Sequence, residues 1–433
     1  MTIWQEAECL KEKLAAVRRD VHQHPETGWT EFRTASFIIK ELQYLGYAVS
    51  FGRDVINEEC MLGVPSADDL ATYQERAVRE GADSKLVAKM TGGFTGVVAV
   101  LDTGKAGKTV CFRFDIDSND AVECKSNEHR PALEGFASEH QLAMHACGHD
   151  GHVAIGLGVA RLLAAHRDEL CGRIKLIFQP AEEGVRGAYA MMKAGVVDDV
   201  DYFFSGHVGF KATTDNTIIA RTDGFLATTK INAEFKGVSA HAGAAPEAGK
   251  NALLAAAQAT ISLNTIARHS SGASRINVGV LNAGTGRNVV PDNAFMQLET
   301  RGETTEVNDF MVQEAKRILR ACADMYDVQL TTDIVGSAPS CVPDVELGKL
   351  AAAVIKEKCG YTTVFENAHI GCSEDCSYFM ERVQELGGRA LFLMYGTKIA
   401  AGHHNDHFDF NEDCLWRASA ALAELAMHFT KVE

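Results

Sequence analysis

The chain has 433 residues, 46% hydrophobic and 23% charged, a globular composition long enough for two domains with separate cores. A formal net charge of −16 argues against nucleic acid as a general partner, and means that an anionic substrate would need a locally positive pocket. No apolar run is long enough to span a bilayer and the acidic, amphipathic Met1–Leu10 does not read as a signal peptide, so the twelve scattered cysteines are expected as reduced thiols of a cytoplasmic protein.

In chain order, a helix is predicted over Trp4 to Arg19, then a polar turn from His22 to Gly28 broken by Pro25 and Gly28. A second helix is predicted from Thr30, its expected cap, to Leu45, with Gly46 as its stop. Tyr47 to Gly52 reads as a strand. Residues 53 to 91 are polar and weakly periodic, an inserted surface excursion with one helix near Ala67 to Glu80. Val97 to Asp102 and Thr109 to Asp117 read as strands paired with each other, the second ending in two carboxylates, Asp115 and Asp117. A long loop leads to Met144-His-Ala-Cys-Gly-His-Asp-Gly-His152 and a helix to Arg167. A buried strand Arg173 to Gln179, the stretch Pro180-Ala-Glu-Glu-Gly184, a helix to Ala194 and a strand ending at His207 follow. Strands alternating with helices, with polar residues at strand ends, predict an α/β domain with its site along the carboxyl edge of the sheet.

From about Thr222 the order becomes strand, helix, strand, strand, helix, strand, the ferredoxin-like β-α-β-β-α-β unit. The α/β pattern then resumes with helices over Val345 to Lys358 and Asp375 to Leu386, a strand Ala390 to Tyr395 and a last helix Glu412 to Phe429. The expected organisation is one catalytic α/β domain with a mixed sheet, residues 1–221 and 337–433, interrupted by a smaller domain at 222–336.

Cys147 and His149 flank Gly148, which favours a turn letting both side chains converge on one ion. A thiolate with an imidazole suits a borderline or soft divalent cation. Glu182 and Glu183 follow a buried strand. Such pairs are often solvated surface charge, but beside a metal one can ligate while the other acts as a general base. His207 is a strand-end histidine, a hydrogen-bonded structural residue or a ligand. Among His403, His404 and His407 only one need matter. Asp115 and Asp117 could orient a ligand histidine or be plain strand-end carboxylates. In the smaller domain His241, Asn288 and Arg301 stand out, Arg301 as a candidate partner for a substrate carboxylate.

Together, Arg113-Phe-Asp-Ile-Asp117, His145 to His152, Gln179-Pro-Ala-Glu-Glu-Gly184, Gly206-His207 and Gly402-His-His-Asn405 resemble the di-metal aminoacylase and carboxypeptidase family of metallopeptidases. Within it they are most similar to the amidohydrolase branch of hippurate and indole-acetyl-amino-acid hydrolases, over nearly the whole chain. The resemblance implies Cys147, His149, Glu183, His207 and His404 as ligands of two divalent ions, manganese or zinc, with Cys147 bridging. Glu182 would be general base and acid, and Asp117 would orient the metal site. His404 is preferred to His403 because it directly precedes Asn405. The smaller domain would be a lid and dimerisation domain, with His241 helping to stabilise the oxyanion and Asn288 and Arg301 binding substrate, the histidine reaching across from a partner protomer. The family's Asp-Met-Asp-Ala-Leu-Pro departs here to Asp115-Ile-Asp117-Ser-Asn-Asp-Ala-Val, which alters the adjacent pocket wall. The expected activity is hydrolysis of p-aminobenzoyl-glutamate, with other N-acyl amino acids or dipeptides as the alternative and a non-catalytic role as a third reading. The expected assembly is a homodimer or a heterodimer with a related chain, with neither nucleic acid nor membrane as partner.

Overall fold

The computed structural model describes residues 1–431. It divides into two compact units, one of Met1–Asp223, Val342–Ile370 and Asp375–Glu433, the other of Gly224–Cys341 and Gly371–Glu374. The strands are β1 Ala48–Phe51, β2 Val97–Asp102, β3 Thr109–Asp115, β4 Arg173–Gln179, β5 Tyr202–Val208, β6 Thr217–Ile219 and β7 Thr222–Asp223. Next come β8 Ala227–Lys236, β9 Ser274–Ala283, β10 Asn293–Gly302, β11 Gln329–Ala338, β12 Thr363–Phe365, β13 Ala368–His369 and β14 Arg389–Tyr395.

The first unit is built on an eight-stranded mixed sheet in the order β1-β2-β4-β3-β5-β14-β6-β12. β4, β3, β5 and β14 run parallel, so their carboxyl ends lie along one edge. The α/β class with a mixed sheet agrees with the expectation, but one pairing does not. β2 and β3 are not neighbours, because β4 is inserted between them, antiparallel to β2 and parallel to β3. The short Gly-Lys-Ala-Gly-Lys link suggested a hairpin, but β3 is buried throughout and takes parallel partners on both sides.

Helix 149–165 packs tightly on this sheet because its glycines leave no side chain in the way. A Cβ on Gly156 would lie 2.6 Å from the Phe178 ring, and one on Gly158 would lie 2.3 Å from Oγ of Ser419 in helix 413–429. Phe204 contacts Phe429 of that last helix, whereas its neighbour Phe203 contacts Phe379 of helix 377–385. Adjacent strand residues point to opposite faces, so the sheet is covered on both sides.

Two helix boundaries differ from expectation. The N-terminal pattern is two helices, Ile3–Glu8 and Lys11–Gln23, so His22 lies in a helix rather than in a turn. The next helix spans Phe32–Tyr44 without a side-chain cap, since the Thr30 hydroxyl donates to the Thr27 carbonyl instead. The 53–91 excursion contains a second helix, Ser84–Lys89, after Ala67–Arg79.

The second unit has a four-stranded sheet ordered β11-β8-β10-β9, with helices 252–263 and 305–325. Ile231, Ala233, Phe235, Ala294, Met296 and Leu298 alternate into a core shared with those helices. Lys230, Asn232, Gln297, Glu299 and Arg301 occupy the alternate positions on the other face. Among the described residues no helix is long and apolar enough to cross a membrane.

Candidate metal centre

Four strand ends and one helix start deliver the first unit's polar cluster. β3 leads to Asp117, β4 to Glu182 and Glu183, β5 ends at His207 and Val208, and β14 leads to the loop carrying His403 and His404. Cys147 precedes helix 149–165, and Gly148 supplies the left-handed backbone (φ 98°) that turns the chain so that Cys147 and His149 approach one point.

Two buried histidines are held in the same tautomer. His149 donates from Nδ1 to the Asp117 carbonyl at 3.0 Å, with the Asp117 carboxylate at 3.2 Å, leaving Nε2 buried without a partner. His207 donates from Nδ1 to the Val208 carbonyl at 2.8 Å, and its Nε2 lies 3.4 Å from Sγ of Cys147. Fixing the proton on Nδ1 turns both Nε2 lone pairs toward the cluster, the state a metal-ligating histidine requires. His404 Nε2 faces Oε1 of Glu183 at 3.4 Å.

The donor atoms form two triads sharing one member: Cys147, His149 and His207, and Cys147, Glu183 and His404. Within each, ligand atoms lie within 4.8 Å of one another. A further triad, His149, Glu182 and Glu183, brings Glu182 alongside, with Oε2 4.0 Å from His149 Nε2. Thiolate, imidazole and carboxylate donors with an unpartnered buried Nε2 fit a divalent cation. Electrostatics point the same way. Burial alone would lower the His149 pKa, but Asp115 first and Asp117 next outweigh it and push it up to about 10. Anionic surroundings strong enough to hold a proton there would equally favour a metal cation.

His403 is committed elsewhere. Its Nε2 donates to the Val208 carbonyl at 3.0 Å, its ring stacks on Phe210 at 4.1 Å, and burial lowers its pKa to about 4. His407 pairs with Asp406. His152 also has both nitrogens engaged: the Val208 N–H donates to Nε2 at 3.0 Å, and Nδ1 pairs with Asp115. Asp115 is further held by Arg113 at 2.7 Å, whose Nε donates to Gln179 at 2.7 Å. Asp115 and His152 are therefore framework between β3, β4 and β5.

Asp117 braces two parts of the cluster: one oxygen faces His149 and the other accepts the Glu183 N–H at 2.9 Å. Glu31, absent from the sequence reasoning, holds the other end of the same turn by accepting the Ala181 N–H at 2.8 Å. Ala181 and Val185 have φ of 52° and 58°, and His404 has φ of 65°, so strained backbone gathers at the centre. Asp150 lies in the first turn of helix 149–165 and binds Arg18 and His22 at 2.7 and 2.8 Å.

His241, Asn288 and Arg301 lie in the second unit. His241 is exposed, and its Nδ1 accepts the N–H groups of Gly243 and Ala244, both at 3.1 Å, which leaves the ring proton on Nε2. Asn288 is beside it, its carbonyl accepting the Ala242 N–H at 3.0 Å. Arg301 clasps Glu299 at 2.9 and 3.2 Å, and Glu299 also binds Lys230 at 2.9 Å, leaving this group with a net positive charge.

A model of peptidase family M20/M25/M40 matches residues 111–428. The chain is 47% identical to one of the subunits of p-aminobenzoyl-glutamate hydrolase from Escherichia coli (strain K12), covering 97% of this chain and 96% of that protein. It is likewise 47% identical to indole-3-acetyl-aspartic acid hydrolase of Enterobacter agglomerans, covering 95% and 94%. The crystal structure of the aminobenzoyl-glutamate utilization protein from Klebsiella pneumoniae superposes with a TM-score of 0.87 at 39% identity over 100% of both chains.

Proposed function

The chain belongs to peptidase family M20/M25/M40 and is a metal-dependent hydrolase of amide bonds, and from that premise we propose that it cleaves p-aminobenzoyl-glutamate to p-aminobenzoate and glutamate. The two relatives' names share one chemistry, an aromatic acyl group joined to an acidic amino acid. The observation that carries the reading is the pair of triads meeting at Cys147 with Glu182 beside them.

We assign Cys147, His149 and His207 to one divalent cation and Cys147, Glu183 and His404 to a second, zinc or manganese. Such cations, when bound, lower the pKa of water and polarise an amide carbonyl. Glu182 is assigned as the general base: a carboxylate oxygen takes a proton from water as the water oxygen bonds to the carbonyl carbon. The same oxygen then delivers that proton to the amine nitrogen as the C–N bond breaks. Asp117 keeps His149 in its Nδ1–H tautomer and fixes the Glu183 backbone, so both groups are preorganised. His241 carries its proton on Nε2, a donor suited to a carbonyl oxygen gaining negative charge. Arg301, with Lys230 alongside, supplies positive charge for a glutamate carboxylate, and Asn288 adds a polar contact. The partner is a second copy of the chain or a related chain. Support for an assembly comes from the Escherichia coli relative, whose name makes it one of the subunits of its hydrolase.

Glu182→Gln should retain metal and melting temperature while turnover falls by about 10²–10⁴-fold. Near-normal turnover in that variant would overturn the assignment. Kinetics on p-aminobenzoyl-glutamate, hippurate and acetylated amino acids test the substrate, with the first expected to have the highest kcat/KM.

A further inference from the structure

The excursion between β1 and β2 has no part in the chemistry above, yet both its ends lie at the metal centre's edge of the sheet. Phe51 pairs with Val97, and Val97 with Phe178, the residue before Gln179 on the strand leading to Glu182 and Glu183. The segment is also fastened there at three points. The Asn57 N–H donates to the Ala190 carbonyl at 3.0 Å. Trp29 donates from its indole nitrogen to the Leu62 carbonyl at 2.8 Å. Arg186 donates from Nη1 to the Gly63 carbonyl at 3.1 Å and from Nε to the Glu183 carbonyl at 2.8 Å. One guanidinium therefore spans from the excursion to the backbone of the Glu182–Glu183 turn. Gly28 makes room for it, since a Cβ there would lie 2.2 Å from Arg186 Nη2.

The fastened stretch is apolar, Met61-Leu62-Gly63-Val64-Pro65, within an otherwise polar excursion. Val64 is 38% exposed, and Met61 and Leu62 are half-buried. Cys147, His149, Glu182, Glu183 and His404 are suited to the amide but offer little apolar surface to an aromatic ring. Small-molecule sites usually combine a few polar groups with a mainly apolar wall. We infer that Met61 to Pro65 forms the wall that receives the aromatic acyl group, making Met61 and Val64 specificity-determining residues. The inference rests on the proposed reaction, and the test separates the two.

Both side chains are partly exposed, so Met61→Ser/Val64→Asn should leave the fold and metal content intact. Binding of p-aminobenzoate and of glutamate to the metal-loaded protein is measured by calorimetry, independently of turnover. In the double variant the Kd for p-aminobenzoate should rise at least tenfold while that for glutamate changes less than twofold. Equal changes for both ligands, no change for p-aminobenzoate, or its failure to bind the unaltered protein would overturn the wall. Absence of p-aminobenzoyl-glutamate hydrolysis by the unaltered, metal-loaded protein would instead overturn the proposed reaction.

Discussion

Glu31 lies outside the candidate metal cluster but holds the turn that carries Glu182 and Glu183. Its carboxylate accepts the N–H groups of Ala181 and Trp29 at 2.8 and 3.1 Å and the Thr95 hydroxyl at 2.6 Å. Burial first, and Asp117 next, push its pKa up to about 8, so the site favours the neutral acid more than water does and a neutral carboxamide can imitate it. Glu31→Gln should keep kcat within a few-fold of the unaltered enzyme. Glu31→Ala strands two buried N–H groups at about 1–3 kcal/mol each and frees Ala181 from its left-handed backbone. Its kcat should fall by at least about tenfold with KM little changed, if the loss is one of transition-state geometry. Steady-state kinetics on both variants check this, and equal losses would count against a positioning role. The contrast with Cys147, His149, Glu182 and Glu183 explains what the sequence made legible. Those residues sit in short motifs at the ends of readable strands or at a helix start, whereas Glu31 meets Ala181 across 150 residues of chain and lies in a stretch that reads only as the start of a helix.

At the scale of elements, the same limit applies to the N-terminal helix 11–23. Its helical pattern is readable as far as Arg19, but the purpose of its buried cations is not, because their partners come from three distant segments. Arg18, with no exposed side-chain surface, binds Asp150 at 2.7 Å, Asp409 at 2.9 Å and Glu412 at 3.3 Å. His22 bridges Asp150 at 2.8 Å and Glu123 at 2.9 Å. The helix is thereby locked to the residue following His149. Arg18→Met removes the cation shared by Asp150, Asp409 and Glu412, leaving Asp150 to His22, Asp409 to Arg130 and Glu412 to Arg19 and Arg130, and should cost up to about 3–5 kcal/mol in chemical denaturation. His22 adds a pH dependence. Burial lowers its pKa, but hydrogen bonds to Asp150 and then Glu123 outweigh that and raise it above 6.5. Its stabilisation is therefore complete below pH 6.5 and is lost as pH rises through the elevated value. For Glu123, burial is outweighed by His22, so its pKa falls below 4.5; its contribution is present above 4.5 and is lost as pH falls through the lowered value. The destabilisation caused by His22→Gln should accordingly be larger at pH 6 than at pH 9, as read from denaturant midpoints at the two values. A pH-independent difference would remove ionisation of His22 from the account.

For the whole molecule, the residues proposed for function divide between two units, with Glu182 in the first and His241 in the second. The β-α-β-β-α-β order made the second unit readable, because it follows from local periodicity. Whether its His241 serves its own chain or a partner depends on assembly, which no local pattern encodes. The proposed reaching-across role makes a quantitative prediction for a two-fold dimer. Glu182→Gln and His241→Ala homodimers should each be nearly inactive, since every site lacks either its base or its oxyanion donor. In a hybrid, one site pairs an intact Glu182 with an intact His241 and the other lacks both. Random re-association of equal amounts makes half the dimers hybrid, each with one competent site, so activity should recover to about a quarter of the unaltered enzyme's. If His241 acts within its own chain, every site in every mixture lacks one of the two groups, and mixing restores nothing. Protomer exchange under mild denaturant followed by assay on p-aminobenzoyl-glutamate distinguishes the outcomes, with size-exclusion chromatography confirming that dimers have re-formed.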